Sequence, residues 1–125
     1  MTILALGLNH TTAPVAIRER VTFGPDIVVG ALRSLCDLRG VNEGVILSTC
    51  NRTEVYCSTT EDGIEDIREW IGEFHGLVIN DISPYLYQHE GDQAVNHLLA
   101  VASGLDSLVL GEPQILGQVL SLIHI

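Results

Sequence analysis

A thiol and a guanidinium lie two positions apart in one short polar stretch of this sequence. Cys50 and Arg52 belong to residues 48–54, which carry a thiol, a guanidinium, a carboxylate, a carboxamide and three hydroxyl groups. A positive charge beside a cysteine favours the thiolate, the form that attacks carbonyl carbon. A guanidinium can also bind a ligand carboxylate through two parallel hydrogen bonds. The stretch therefore indicates a thiol-dependent site for a small anionic substrate, with an unreactive cysteine at a strand end as the alternative.

The other cysteines and histidines have simpler explanations. His97 lies in an apolar segment, where a histidine is more often a hydrogen-bonded core residue than a catalyst. His10 follows the first predicted strand and could reach the same sheet edge. Cys36 and Cys57 fall on apolar stripes, so we expect both to pack in the core. A zinc site built on Cys50, Cys57 and His97 is a weaker alternative, because the spacing matches no closed zinc pattern.

Length and composition limit the class of protein. The chain has 125 residues, 46% of them hydrophobic and 18% charged, which is typical of one globular domain. The net charge is −10 and all six basic residues are arginine, so no basic stripe is available for a nucleic-acid backbone. We find neither a Walker loop nor a Gly-x-Gly-x-x-Gly motif. Three cysteines and no run of about 18 apolar residues indicate a cytoplasmic protein without a membrane segment.

The apolar pattern predicts the elements that must position these side chains. Strands are expected at residues 2–8, 45–47, 54–58 and 85–89, and helices at 15–20, 27–39 and 64–74. Their order, β-α-β-β-α-β, is the ferredoxin-like arrangement, so the predicted fold class is α+β. A turn is expected at 81–84, and two further helices, at 92–103 and from 112 onward, follow the sheet. The polar connection between the second and third strands would place Cys50 at one end of the sheet.

Several motifs resemble one enzyme family. The chain resembles the N-terminal, catalytic portion of glutamyl-tRNA reductase over residues 1–119. The resemblance rests on residues 7–10 and 12–14, on Arg18-Glu19, on residues 47–54, and on a contiguous stretch at 102–118. Residues 120–125 depart from the family pattern and indicate an atypical tail at a truncation point. The predicted domain organisation is therefore 1–119 as the catalytic domain and 120–125 as the tail.

The resemblance implies a reaction. In that family a cysteine attacks the ester that links glutamate to its tRNA and forms a thioester. NADPH then reduces the thioester to glutamate-1-semialdehyde, in the pathway to tetrapyrroles such as porphyrins. Carried over, Cys50 is the nucleophile and His97 is the activity-critical histidine. The implied substrate-binding residues are Thr49, Cys50, Asn51, Arg52, Glu54, Ser107, Glu112, Pro113, Gln114 and Gln118.

Roles within this set remain partly open. Charge complementarity assigns Arg52 to the substrate carboxylate and Glu54 to its ammonium group. His97 either polarises the carbonyl or protonates the leaving ribose oxygen. No cofactor-binding or metal-binding residue is expected in this chain.

The resemblance also implies partners. These are glutamyl-tRNA, a second copy of the full-length protein joined through a C-terminal domain, and a downstream aminomutase. NADPH would bind a domain that we expect to be absent from this chain, so the fragment should acylate Cys50 without completing the reduction. The alternative hypothesis is a non-catalytic domain of the same fold that binds a small ligand or a partner protein.

Overall fold

The computed structural model describes residues 1–104, which form a sheet with helices on both faces. The elements are β1 (Thr2–Asn9), α1 (Val15–Arg20), α2 (Val28–Cys36), β2 (Val41–Ser48), β3 (Arg52–Thr59), α3 (Gly63–Phe74), α4 (Ile79–Ile82), β4 (Tyr87–Glu90) and α5 (Asp92–Ala102). A 3₁₀ turn, Ser83–Tyr85, joins α4 to β4. The order of the principal elements confirms the predicted β-α-β-β-α-β arrangement.

The four strands form one antiparallel sheet in the order β2-β3-β1-β4. This is the strand order expected when a third strand separates the two strands of a β-α-β unit, so the predicted α+β, ferredoxin-like class is confirmed. Strands β1 and β3 are central and pair along their whole length, from Thr2 opposite Thr59 to Asn9 opposite Arg52. Side chains at the start of β3 are therefore inside the domain.

The sheet separates two different environments. Leu4, Leu6 and Leu8 of β1 face the main hydrophobic core, because alternate residues of a strand point to the same face. This core also contains buried residues of α2 and α3, namely Ala31, Leu35, Ile67, Trp70 and Ile71. Ala5 faces the opposite side and packs with Tyr56 and with Ala94 of α5. The second face thus has a smaller apolar cluster, which leaves room for polar groups.

Three sequence predictions need correction. The helix predicted at 27–39 is shorter, and its last residue, Cys36, is exposed rather than in the core. Successive side chains of a helix are rotated by about 100° around its axis. Because Leu35 points into the core, the side chain of Cys36 points away from it. Residues 81–84, predicted as a turn, are helical, since the buried Ile82 anchors them and a first-turn Pro84 is tolerated.

The third correction concerns the polar connection at residues 48–54. The strands on either side are longer than predicted, so the connection comprises only residues 49–51. Arg52 and Thr53 therefore belong to β3, together with Glu54, which the predicted strand at 54–58 already contained. The predicted helix from 112 lies outside the described residues. No helix within residues 1–104 has the length and apolar character needed to cross a membrane.

Candidate active site

A tight hairpin between β2 and β3 presents Cys50. The Thr49 N–H donates to the carbonyl oxygen of Arg52 at 2.8 Å and closes the turn. The Thr49 hydroxyl oxygen accepts hydrogen bonds from the N–H groups of Asn51 and Arg52, both at 3.2 Å. Thr49 is buried, whereas Cys50 is exposed at the tip. The structure thus places Thr49, Cys50 and Asn51 together at one end of the sheet.

The base of this hairpin is attached to the hydrophobic core. Ser48 Oγ accepts a hydrogen bond from the Phe23 N–H at 3.0 Å and lies 3.4 Å from Thr53 Oγ1. Phe23 is buried, and its ring stacks on Trp70 with centroids 5.8 Å apart. The loop between α1 and α2 therefore fixes the strand end from which Cys50 projects.

Strand β3 turns its charged side chains inward, beneath α5. Arg52, Glu54 and Tyr56 alternate on one face, and Arg52 and Glu54 are both essentially inaccessible to solvent. Glu54 lies opposite Gly7 of β1. A Cβ atom at position 7 would lie 2.4 Å from the Thr53 carbonyl oxygen and 2.9 Å from Glu54 Cγ. Only glycine leaves the space that this carboxylate occupies.

Glu54 is the centre of a buried hydrogen-bond cluster. Its Oε1 accepts from the Tyr56 hydroxyl at 2.8 Å, and its Oε2 accepts from Arg52 Nη1 at 3.3 Å. Oε2 also accepts short hydrogen bonds from the Tyr87 hydroxyl and from His97 Nε2. This carboxylate cluster, comprising Arg52, Glu54, Tyr56, Tyr87 and His97, combines residues of β3, β4 and α5.

The cluster sets the ionisation of its members. Burial alone would raise the pKa of Glu54, but the hydrogen bonds and charge of His97, the Tyr87 hydroxyl and the Arg52 charge outweigh it and lower that pKa. Burial, with the adjacent Glu54 charge, raises the pKa of Tyr87 above its ordinary range. Glu54 is therefore an anionic acceptor and Tyr87 a neutral donor at neutral pH.

The orientation of His97 follows from this arrangement. Because an ionised carboxylate only accepts, Nε2 of His97 must carry the proton of their hydrogen bond. The ring packs against Tyr87 and His89, with centroids 5.1 and 4.6 Å away. Within residues 1–104, Nδ1 of His97 has no hydrogen-bond partner. Nδ1 is therefore the His97 nitrogen that no group within the described residues occupies.

Sequence reasoning found only part of this cluster. It selected Arg52, Glu54 and His97, which the structure brings together, but it missed Tyr56 and Tyr87. The spacing of residues 52, 54 and 56 on one strand was the available signal for Tyr56, since such positions share a face. The five predicted residues Ser107, Glu112, Pro113, Gln114 and Gln118 lie outside the described residues.

Cys57 is buried in the main core, as predicted, and lies on the face of the sheet opposite the carboxylate cluster. Burial and the neighbouring Cys36 raise its pKa to about 12. The sheet therefore separates Cys57 from His97, which argues against the zinc site considered with Cys50. In the part of the chain that the structure describes, no three His, Cys, Asp or Glu residues are grouped as metal ligands.

The fold and site define an α+β domain in which an exposed hairpin cysteine precedes, by four residues, a buried carboxylate that is hydrogen-bonded to an imidazole. The chain belongs to the family described as glutamyl-tRNAGlu reductase, N-terminal domain, whose profile matches residues 6–124.

Similar proteins support this assignment. The chain is 56% identical over 119 residues to a glutamyl-tRNA reductase of Pseudoalteromonas translucida and 52% identical over 122 residues to one of Marinomonas sp.. These matches cover 95% and 97% of this chain. A solved glutamyl-tRNA reductase from Methanopyrus kandleri superposes with a TM-score of 0.74 at 34% identity and covers 98% of this chain.

The chain corresponds to a minor part of each relative. It spans 28% and 29% of the two curated relatives and 27% of the solved chain. The family membership thus applies to this N-terminal region, and the activity of the whole relatives is a separate question for this chain.

Proposed function

We propose that this chain is a catalytic domain of glutamyl-tRNA reductase in which Cys50 accepts the glutamyl group from glutamyl-tRNA. The observation that supports this most directly is the exposed Cys50 on a hairpin whose following strand carries the buried Glu54, to which the partly buried His97 of α5 is hydrogen-bonded. Glu54 is four residues from Cys50, so their Cα atoms are at most about 14 Å apart. A bound aminoacyl ester is large enough to contact both the thiol and the imidazole.

The proposed reaction is an acyl transfer to sulfur. The Cys50 thiolate attacks the ester carbonyl, a carbon–sulfur bond forms, and the carbon–oxygen bond to the ribose breaks. The departing ribose oxygen takes up a proton, and the glutamyl group remains on Cys50 as a thioester. Covalent capture converts one difficult reduction into two easier steps.

In this proposal, His97 supplies the proton and Glu54 positions His97. The Nε2–H group is held by Glu54, so the imidazolium would deliver the proton from Nδ1 to the ribose oxygen. An anionic carboxylate behind an imidazole fixes the ring orientation and stabilises the imidazolium. Of the two roles considered for His97, this geometry favours protonation of the leaving group.

The substrate contacts of Arg52 and Glu54 remain predictions. Both side chains are enclosed and bind each other at 3.3 Å, and both oxygens of Glu54 already accept hydrogen bonds from protein groups. A substrate carboxylate at Arg52, or an ammonium at Glu54, would share these groups with the carboxylate cluster. The positioning role of Glu54 requires no such rearrangement.

NADPH, implied by the family, does not fit the described residues. A dinucleotide site needs a glycine-rich turn between a strand and a helix of a parallel sheet. The sheet here is antiparallel, and the turn from β1 to α1, residues 10–14, contains no glycine. The function proposed for this chain therefore ends at the thioester.

The test is transfer of labelled glutamate from tRNA to the protein. The chain is incubated with tRNA charged with ¹⁴C-glutamate, then denatured in acid and separated from the tRNA. We expect one stable label per chain, released by hydroxylamine as a thioester should be. Cys50→Ser should lose this hydroxylamine-labile label.

Cys36→Ser is the matched control, because Cys36 is the other exposed cysteine among the described residues. It should label as well as the unaltered chain. Equal labelling of the Cys50→Ser variant would refute the proposed nucleophile. Tight binding of glutamyl-tRNA without any covalent label would instead support the alternative of a non-catalytic binding domain.

A further inference from the structure

In the hairpin that follows β2, the Cys50 N–H is the backbone donor that has no acceptor within residues 1–104. The other N–H groups of the hairpin are bound. The Thr49 N–H donates to the Arg52 carbonyl oxygen at 2.8 Å, and the N–H groups of Asn51 and Arg52 both donate to the Thr49 hydroxyl oxygen at 3.2 Å. Because Cys50 is exposed, water can accept from its N–H until a ligand oxygen replaces that water.

The neighbouring hydrogen bonds fix the position of this donor beside the thiol. Thr49 is buried, so its hydroxyl group holds the two N–H groups that follow Cys50 without competition from solvent. Within one cysteine, the backbone nitrogen and Sγ lie about 3–4 Å apart in the staggered rotamers. A carbonyl carbon bonded to Sγ can therefore place its oxygen within hydrogen-bond distance of the N–H. No rearrangement of the hairpin is needed when the reaction occurs.

We propose that the backbone N–H of Cys50 is the oxyanion donor of the acyl transfer, an inference that rests on the function proposed above. When the thiolate attacks, the carbonyl carbon becomes tetrahedral and its oxygen gains a negative charge, to which the N–H donates. The carbonyl group re-forms when the carbon–oxygen bond to the ribose breaks. His97 is assigned to the leaving oxygen, so the carbonyl oxygen needs a donor of its own. Serine proteases use the N–H of the nucleophile in the same way.

The test replaces Cys50 with its α-hydroxy analogue, which keeps the thiol and exchanges the backbone N–H for an ester oxygen. The full chain is made by chemical ligation, with Cys36→Ser throughout, so that Cys50 is the exposed thiol of the described residues. The matched control carries the same exchange at Val78, an exposed residue whose N–H also has no acceptor within residues 1–104. Urea unfolding followed by Trp70 fluorescence verifies that both chains fold.

Three reagents report on the exchange. p-Nitrophenyl acetate and tRNA charged with ¹⁴C-glutamate are acyl donors, whereas iodoacetamide alkylates the thiol without placing charge on a carbonyl oxygen. Loss of the Cys50 N–H should slow acyl transfer from p-nitrophenyl acetate by roughly 10²-fold and change alkylation by less than about twofold. The Val78 exchange should change neither rate. A decrease in acyl transfer of less than about tenfold, or an equal decrease in alkylation, would overturn the inference.

The two acyl donors separate this inference from the proposed function. Acetyl transfer that depends on the Cys50 N–H, without uptake of glutamate from tRNA, would refute the glutamyl-tRNA function and support the oxyanion donor. Uptake of glutamate at the same rate with and without the Cys50 N–H would support the function and refute the oxyanion donor.

Discussion

Replacement of Glu54 by glutamine tests how much the buried carboxylate stabilises the packing of α5 and β4 on the second face of the sheet. The substitution keeps the shape of the side chain but removes its charge from a position with no solvent access. Arg52, also inaccessible, loses the carboxylate that Nη1 contacts at 3.3 Å, and the hydrogen bonds from Tyr87 and His97 lose their charged acceptor. Removing one partner of a buried ion pair typically costs about 3–5 kcal/mol of the free energy of unfolding.

The assay is urea unfolding followed by fluorescence of Trp70, the single tryptophan, which is buried against Phe23. At a urea m value of about 1.5 kcal/mol/M, the expected loss lowers the unfolding midpoint by about 2–3 M. Glu43→Gln is the matched control, since Glu43 is an exposed carboxylate on β2 of the same sheet. It should change stability by no more than about 0.5 kcal/mol. A loss below about 1 kcal/mol for Glu54→Gln would refute the central role of this carboxylate.

Three further outcomes follow from the same structure. Gly7→Ala should lower the free energy of unfolding in urea by about 3 kcal/mol or more, because its Cβ atom would lie 2.4 Å from a backbone oxygen. Gly30→Ala is the control: it has open space on α2 and should raise the free energy of unfolding by about 0.5–1 kcal/mol. Equal effects of the two substitutions would contradict the close approach at Gly7. Tyr87→Phe should lower the free energy of unfolding by about 1.5–3 kcal/mol in the same assay, because it removes a hydrogen bond to a charged acceptor, Glu54. An unchanged free energy of unfolding would exclude that hydrogen bond. The pKa of Glu54 in the folded protein is lowered from 4.5, so the stability that the ionised carboxylate contributes is present above pH 4.5 and is lost as the pH falls through the folded pKa. The urea midpoints of the unaltered chain and of Glu54→Gln should therefore converge below pH 4.5. A difference between the two midpoints that stays constant with pH would argue against an ionised Glu54.

The order of elements was predictable because local patterns determine it. Apolar residues at intervals of three and four predicted α3, and its buried residues Ile67, Trp70 and Ile71 lie on that stripe. Continuous apolar runs predicted the central strands. These features depend on neighbours in sequence, so one chain is enough to identify them.

The interior of the site was less predictable because it depends on strand register. Arg52 was predicted in the connection and Glu54 at the first position of the third strand, and neither side chain was predicted to be fully buried, since charged side chains seldom are. Their burial depends on pairing of β3 with β1 and on the cover that α5 supplies, both of which are long-range contacts. Tyr87 reaches Glu54 only because β4 pairs with the other edge of β1 and places Tyr87 beside Gly7. Helix rotation, not composition, decided the exposure of Cys36.

The close approach at Gly7 has a consequence for how mutational data on this domain should be interpreted. A deep mutational scan ranks positions by their intolerance of change, and intolerant polar positions are commonly taken as functional. Gly7 has no functional group, yet any side chain there would displace the carboxylate opposite it. Position 7 should therefore tolerate substitution as poorly as position 54. Variant frequencies at these two positions alone would then identify the location of the site.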